Sequence, residues 1–437
     1  MTPAAVLDHR PGKSALDRAL ALFSRVEAGE GATALLLVAN VFILLAAYYI
    51  LKTVREPLIL GRPGGAEVKS LASAGQAMLF LLVVPAYGMV ANRFRRMGLI
   101  AATTLFFISN LAIFYALGSS GVPIGVPFFL WVGVFNMLVV AQFWSFSNDL
   151  YTEEQGRRLF PIVGVGASLG AWLGAIAAKA LFKTTTPFEL MGLSAALLAA
   201  SLAITYWIHS RQSGPSAAHA REPLDREGGF QLVIKDRYLR WIAILVLTFN
   251  CVNTIGEYIV SKLVTEHASL LPAAQRGAFI GQFYGDYFGW VNLVSFAIQT
   301  FLVSRIFQWI GVRGALFVLP LVALGGYGIL ATLPVLAIVK IAKILENSTD
   351  YSLNNTVRHA LFLPTSREAK YKGKAATDTF FVRAGDMLQA GFVSVGVMLG
   401  LSVTGFALLN IGLIGIWLFA ARSIAHEHKT LSAVETQ

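Results

Sequence analysis

Long apolar stretches, each broken by only a few polar residues, recur along the whole chain. A helix needs about 20 apolar residues to cross the hydrocarbon core of a bilayer. Twelve segments come close to or exceed that length, at approximately 31–58, 69–92, 98–118, 126–148, 159–182, 189–209, 239–262, 279–305, 313–331, 334–357, 382–403 and 405–422. Weak breaks at Pro334 and between Gly400 and Gly405 separate the ninth span from the tenth and the eleventh from the twelfth. The pattern predicts an all-α polytopic membrane protein with twelve transmembrane helices.

Cytoplasmic loops are enriched in Lys and Arg, so the count can be tested by charge. With both termini inside, the inner loops hold Arg93, Arg95 and Arg96, then Arg157 and Arg158, the segment from Arg211 to Arg240, Arg305 and Arg313, and the segment from Arg358 to Lys374. The opposite loops hold few, chiefly Arg62, Lys69, Lys183 and Arg276. The alternation persists through all twelve spans, which supports the count.

One long polar stretch, HSRQSGPSAAHAREPLDREGG from His209, divides the chain and has the composition of a linker. The parts on either side repeat one another weakly at an offset of about 210 to 213 residues, as transporter folds do. Asn40, Tyr48 and Lys52 pair with Asn250, Tyr258 and Lys262; Phe94 and Gly98 pair with Phe307 and Gly311; Thr152 pairs with Thr365. The expected domains are a cytoplasmic segment 1–30, a six-helix half 31–209, a cytoplasmic linker 210–238, a second half 239–422 and a tail 423–437. Six plus six pseudo-symmetric helices joined by such a linker is the arrangement of the major facilitator fold.

Composition agrees. The chain is 56% hydrophobic and 14% charged, against about 25% charged residues in a soluble domain. The net charge of +11 lies in inner loops beside anionic lipid, so it calls for membrane lipid as a partner and for no nucleic acid. Cys251 is the one cysteine and the seven histidines are scattered, which gives no disulfide within the chain, no metal site and no cofactor. Leu16, Leu20 and Phe23 fall at helical spacing among Arg10, Lys13, Arg18 and Arg25, so residues 1–30 are expected to lie on the inner surface as an amphipathic helix.

Charges inside the spans need partners or a polar cavity, because each costs about 2.5 to 3.5 kcal/mol at the bilayer centre. Lys52, Arg55 and Glu56 share one face of the first span, just before Pro57. They either snorkel at the outer interface or line a cavity. In the tenth span Lys340, Lys343, Glu346, Asn347, Asp350 and Asn354 advance by three or four and form one polar stripe. Asn250, Asn253, Glu257 and Lys262 in the seventh span and Asp286 in the eighth add to it. Two arrangements suit this stripe: buried ion pairs such as Lys343 with Glu346, or a cationic path for a small anion. Gly166, Gly170 and Gly174, four residues apart in the fifth span, predict close helix packing.

Several stretches resemble one family. YYILKTVRE from Tyr48, FWSFSNDLYTEEQGRRLFPIVGVGASLG from Phe143, NTIGEYIVSKLV from Asn253 and above all RHALFLPTSREAKYKGKAATDTFFVRAGD from Arg358 are similar to the ATP:ADP antiporters of plastids and intracellular bacteria, over about residues 35–420. The resemblance implies a major-facilitator-like nucleotide exchanger. By motif, its first-span base falls on Lys52 or Arg55, its following acid on Glu56 and its seventh-span acid on Glu257. The chain departs from the family in reading Lys52, Thr53, Val54, Arg55, Glu56, where a further acid is expected.

Residue chemistry and resemblance agree on an anionic substrate, bound through Lys52, Arg55, Glu56, Glu257, Lys262, Asp286, Lys340, Lys343, Glu346 and Asp350, with no catalytic residues. Nucleotide exchange is the first expectation. A proton-coupled permease for another organic anion is the second, with one of the acids carrying the proton. A membrane-embedded enzyme or a receptor is the third, and the dispersed acids do not suit an enzyme.

Overall fold

The computed structural model describes residues 26–91, 93–211, 229–366, 368, 369 and 373–434. The surface helix expected within 1–30 lies almost wholly outside the described residues, as does most of the linker. Everything described is helix or short connection. The helices are α1 (Glu30–Leu60), α2 (Gly65–Ala91), α3 (Arg96–Ser119), α4 (Gly125–Leu150), α5 (Glu153–Leu181), α6 (Pro187–Ser210), the short α7 (Gly229–Lys235), α8 (Arg237–Ser269), α9 (Ala273–Phe301), α10 (Val303–Ala315), α11 (Val318–Thr332), α12 (Leu336–Thr349), α13 (Asn355–Leu361), α14 (Val382–Met398) and α15 (Val403–Val434). π-helical turns follow α12 at Asp350–Asn354 and precede α14 at Thr377–Phe381.

Local chemistry sets several of the starts. Thr152 and Thr186 close capping boxes with Gln155 and Glu189, and Pro187 supplies a first helical residue that needs no N–H partner. Asp236 caps α8 through the Leu239 amide.

Among the described residues, eight helices are long and apolar enough to cross a membrane: α1 to α6, α8 and α15. A ninth is reached if α9 and α10, bent by 75°, form one broken span. The expected ninth, tenth and eleventh spans coincide with α11, with α12 and its π turn, and with α14, which are shorter or interrupted. Among the described residues, length and apolarity therefore allow eight or nine crossings, and the number twelve comes from sequence periodicity.

Packing repeats across the chain. In the first half α1 packs on α4, α5 and α6, and α3 packs on α6; in the second, α8 packs on α12, α14 and α15, and α11 packs on α15. The halves meet by exchange of equivalent elements, α2 against α8 and α14, and α9 against α1 and α5. Lipid supplies no hydrophobic drive between helices, so close van der Waals contact must hold them. The glycine spacing of α5 provides it: a Cβ on Gly166, Gly170 or Gly174 would lie 2.8, 2.3 or 2.6 Å from the carbonyl oxygens of Val38, Phe42 and Ala46 on α1.

Candidate functional site

The spacing that puts Lys52, Arg55 and Glu56 on one face of α1 turns that face toward the second half. Glu56 is fully buried and accepts from Arg55 Nε at 3.1 Å, from Arg55 Nη2 at 2.6 Å and from Lys69 Nζ at 2.6 Å. The Arg55 guanidinium also lies 4.5 Å from the centre of the Phe129 ring. Lys69, counted above among the outer-loop cations, is instead buried, because α2 begins at Gly65 and carries it inside. Its ammonium reaches across to the second half, donating to Ser261 Oγ at 3.1 Å and to Tyr284 OH at 3.5 Å.

The stripe of α12 meets α8 and α9. Lys343, 2% exposed, donates to Asn253 Oδ1 at 2.7 Å and pairs with Glu346, 3% exposed, at 3.0 Å. Tyr327 OH donates to Glu346 at 3.0 Å. Glu257 accepts from Tyr287 OH and Asn347 Nδ2, each at 2.8 Å, and stands 3.9 Å from the Lys343 ammonium. Gly256 makes this approach possible, since a Cβ there would lie 2.0 Å from Tyr327 OH and 2.9 Å from Lys343 Nζ. A small recess beside the pair, with room for about one water, is lined by Gly256, Tyr327, Val339, Lys343 and Glu346.

The other expected residues are distributed around this centre. Asp286 is clamped between Lys340, at 2.5 Å, and Lys179 of α5, which sequence reasoning did not single out. Lys262 lies 3.5 Å from Glu67, and Tyr258 donates to the same carboxylate at 2.9 Å. Asp350 accepts from Asn354 at 2.8 Å within its π turn.

Lys52 differs from all of them. Its ammonium sits over the Phe288 ring at 4.3 Å and near Tyr49 at 5.0 Å, and no described residue gives it a hydrogen bond or an ion pair. Around it Lys52, Arg55, Lys69 and Lys343 face Glu56, Glu257 and Glu346, so four cations meet three acids and one positive charge is left over. The interior is thus mostly compensated rather than a bare cationic channel.

Among the described residues, the hydrogen bonds that join the halves collect toward one end of the bundle. They run from Glu67, Lys69, Ser70 and Lys179 to Tyr258, Ser261, Tyr284, Gln389 and Asp286. The N-half donors and acceptors lie in the first turns of α2 and the last of α5, beside the connections that follow α1 and α5. This end is sealed by polar ties.

Comparison with known proteins agrees with this picture. The chain is 23% identical to the ADP,ATP carrier protein 1 of Chlamydia pneumoniae, an alignment covering 89% of this chain and 90% of that one. It is 22% identical to the chloroplastic ADP,ATP carrier protein 2 of Arabidopsis thaliana over 69% of this chain and 54% of that one. In fold it is similar to the nucleoside transporter NupG in a D323A mutant form, with TM-score 0.64, 12% identity, and 90% and 98% of the two chains covered. It is equally similar to a bacterial homologue of ferroportin in an inward-facing state, with TM-score 0.64, 14% identity, and 91% and 98% covered. The family and these neighbours are transporters, and the fold is the one that the six-plus-six repeat implied. The model of the TLC ATP/ADP transporter family matches residues 129–428, and the chain belongs to that family.

Proposed function

We propose that the protein exchanges nucleotides of the ATP and ADP type across a bacterial inner membrane by alternating access, with both termini in the cytoplasm. The halves 31–209 and 239–422 rock about a site near the midplane, and no covalent chemistry is involved. Lys52, Arg55, Lys340 and Lys343 offer charge-assisted donors to phosphate oxygens. Glu56, Asp286, Glu257 and Glu346 hold Arg55, Lys340 and Lys343 in place and balance them when the site is empty, Asp350 adds negative charge at the end of the stripe, and Lys262 with Glu67 ties the halves beside it. What carries this reading is Lys52: a cation inside the bundle whose neighbours Arg55, Lys69 and Lys343 are balanced by Glu56, Glu257 and Glu346, leaving its own charge with no hydrogen bond or ion pair among the described residues. A nucleotide with three to four negative charges would draw Arg55 and Lys343 partly away from their acids, so a loaded carrier differs in internal charge from an empty one. Exchange follows, because reorientation is easiest with an anion bound.

The direct test is counterflow. Proteoliposomes loaded with ADP should take up labelled ATP at least tenfold faster than empty ones, with no dependence on a pH gradient. Uptake driven by a pH gradient and indifferent to internal ADP would replace exchange by proton symport of another anion.

The sealed end yields a second expectation. Ser70 Oγ accepts from Gln389 Nε2 at 2.9 Å across the halves, and alternating access must part them. With Ser70→Cys and Gln389→Cys in a Cys251→Ser background, a short bifunctional thiol reagent should reduce exchange to background. Undiminished exchange in fully cross-linked protein would mean that this end does not open.

A further inference from the structure

Lys69 is bonded to both halves at once. An ammonium has three protons to donate, and all of them are placed. One goes to Glu56 Oε2 at 2.6 Å within the first half; the others reach Ser261 Oγ at 3.1 Å and Tyr284 OH at 3.5 Å in the second. The centre of the Tyr284 ring lies 4.8 Å from the same ammonium. Ser261 and Tyr284 are fully buried, with their hydroxyls 3.0 Å apart. Ser261 gives its own proton to the Glu257 carbonyl at 2.8 Å, so its oxygen is held ready to accept.

The same Glu56 carries Arg55. Both guanidinium bonds fall on Oε1, at 3.1 and 2.6 Å, while Lys69 takes Oε2. The side chain is fully buried, so neither oxygen can turn to water. Arg55 is one of the cations assigned above to phosphate. When a phosphate draws it away, Oε1 loses both bonds, and a buried carboxylate oxygen left without a donor is costly. Lys69 is then the donor that remains on Glu56 among the described residues. It can serve Oε1 only by giving up a proton used across the halves, and the 3.5 Å bond to Tyr284 is the weakest of the three.

We propose that Lys69 couples substrate binding to opening of the sealed end: an anion on Arg55 turns Lys69 toward Glu56 and loosens its ties to Ser261 and Tyr284. The proposal rests on the phosphate role given to Arg55 above and adds the positioning residue that makes exchange obligatory. Without an anion on Arg55, Lys69 stays bonded to both halves and this end stays shut.

Release of labelled ADP from proteoliposomes tests it, with the membrane potential clamped and external ATP present or absent. In the wild type, external ATP should speed release roughly tenfold or more, within the usual range of coupling between two sites. Ser261→Ala with Tyr284→Phe removes both acceptors in the second half and leaves Lys69 on Glu56. In this variant the ratio should fall to about twofold or less, because release without ATP rises. ATP affinity should hold or rise, since binding no longer works against the tie. Ser261→Ala alone should move the ratio in the same direction by less, and it decides the question if the double variant folds poorly. A merely damaged carrier would slow both releases equally. A wild-type ratio in both variants overturns the coupling and leaves exchange intact. A wild type whose release ignores external ATP removes the exchange reading itself, and the coupling with it.

Discussion

Lys343→Ala is expected to lower stability by about 3 to 5 kcal/mol and to abolish exchange. The pair it breaks is buried on both sides, and removing one member strands the charge of the other. Glu346 keeps only the hydroxyl of Tyr327. Substituting both partners by apolar residues of similar volume, as in Lys343→Met with Glu346→Leu, removes both desolvation penalties at once, so most of the lost stability should return. Exchange should not return, because the cation that faces Glu257 is gone. Thermal unfolding in detergent and counterflow in proteoliposomes measure the two effects separately. If the double variant regained transport, Lys343 would be a structural ion and nothing more.

Lys52→Gln should show the opposite signature. No described residue pairs with this ammonium, so its removal leaves no acid stranded and relieves repulsion from Arg55 and Lys69. The unliganded melting temperature should hold or rise slightly. Substrate affinity should fall roughly 10- to 150-fold, the equivalent of about 1.5 to 3 kcal/mol for a hydrogen bond to a charged group. Lys52→Arg should recover part of it, since the charge is kept and the reach changes. Wild-type affinity in Lys52→Gln would take this residue out of the site, and with it the main support for a phosphate anchor here.

Helical periodicity made much of this legible before any coordinates. Each expected span coincides with a helix, and the stripe of α12 and the charged face of α1 both turn inward. The glycines of α5 announced their packing in the same way, because a four-residue spacing of small side chains is a one-dimensional signal for a close approach. What escaped was the set of partners. Lys69 looked like a loop residue, since its position four residues into α2 falls within the error of any boundary drawn from hydropathy. Its role depends on Ser261 and Tyr284, in the other half of the chain. Lys179 closes on Asp286 from a helix whose sequence reads as packing surface. Charge compensation is a property of such long-range pairs, so the sequence suggested a more positive interior than the folded chain has. The π turn after α12 has no periodic signature at all.

The 75° bend at Leu302 works as a depth gauge. Beyond it α10 turns away from the bundle direction and carries Trp309 and Ile310, both largely exposed, as helices do where they lie along the surface of a bilayer. Counting back along α9 at 1.5 Å per residue, Phe288 lies about 21 Å from that level, in a hydrocarbon layer about 30 Å thick. The ammonium of Lys52 rests on Phe288. On the proposed function, an anion at Lys52 would lie well inside the hydrocarbon layer rather than at its surface, as a site between two rocking halves requires.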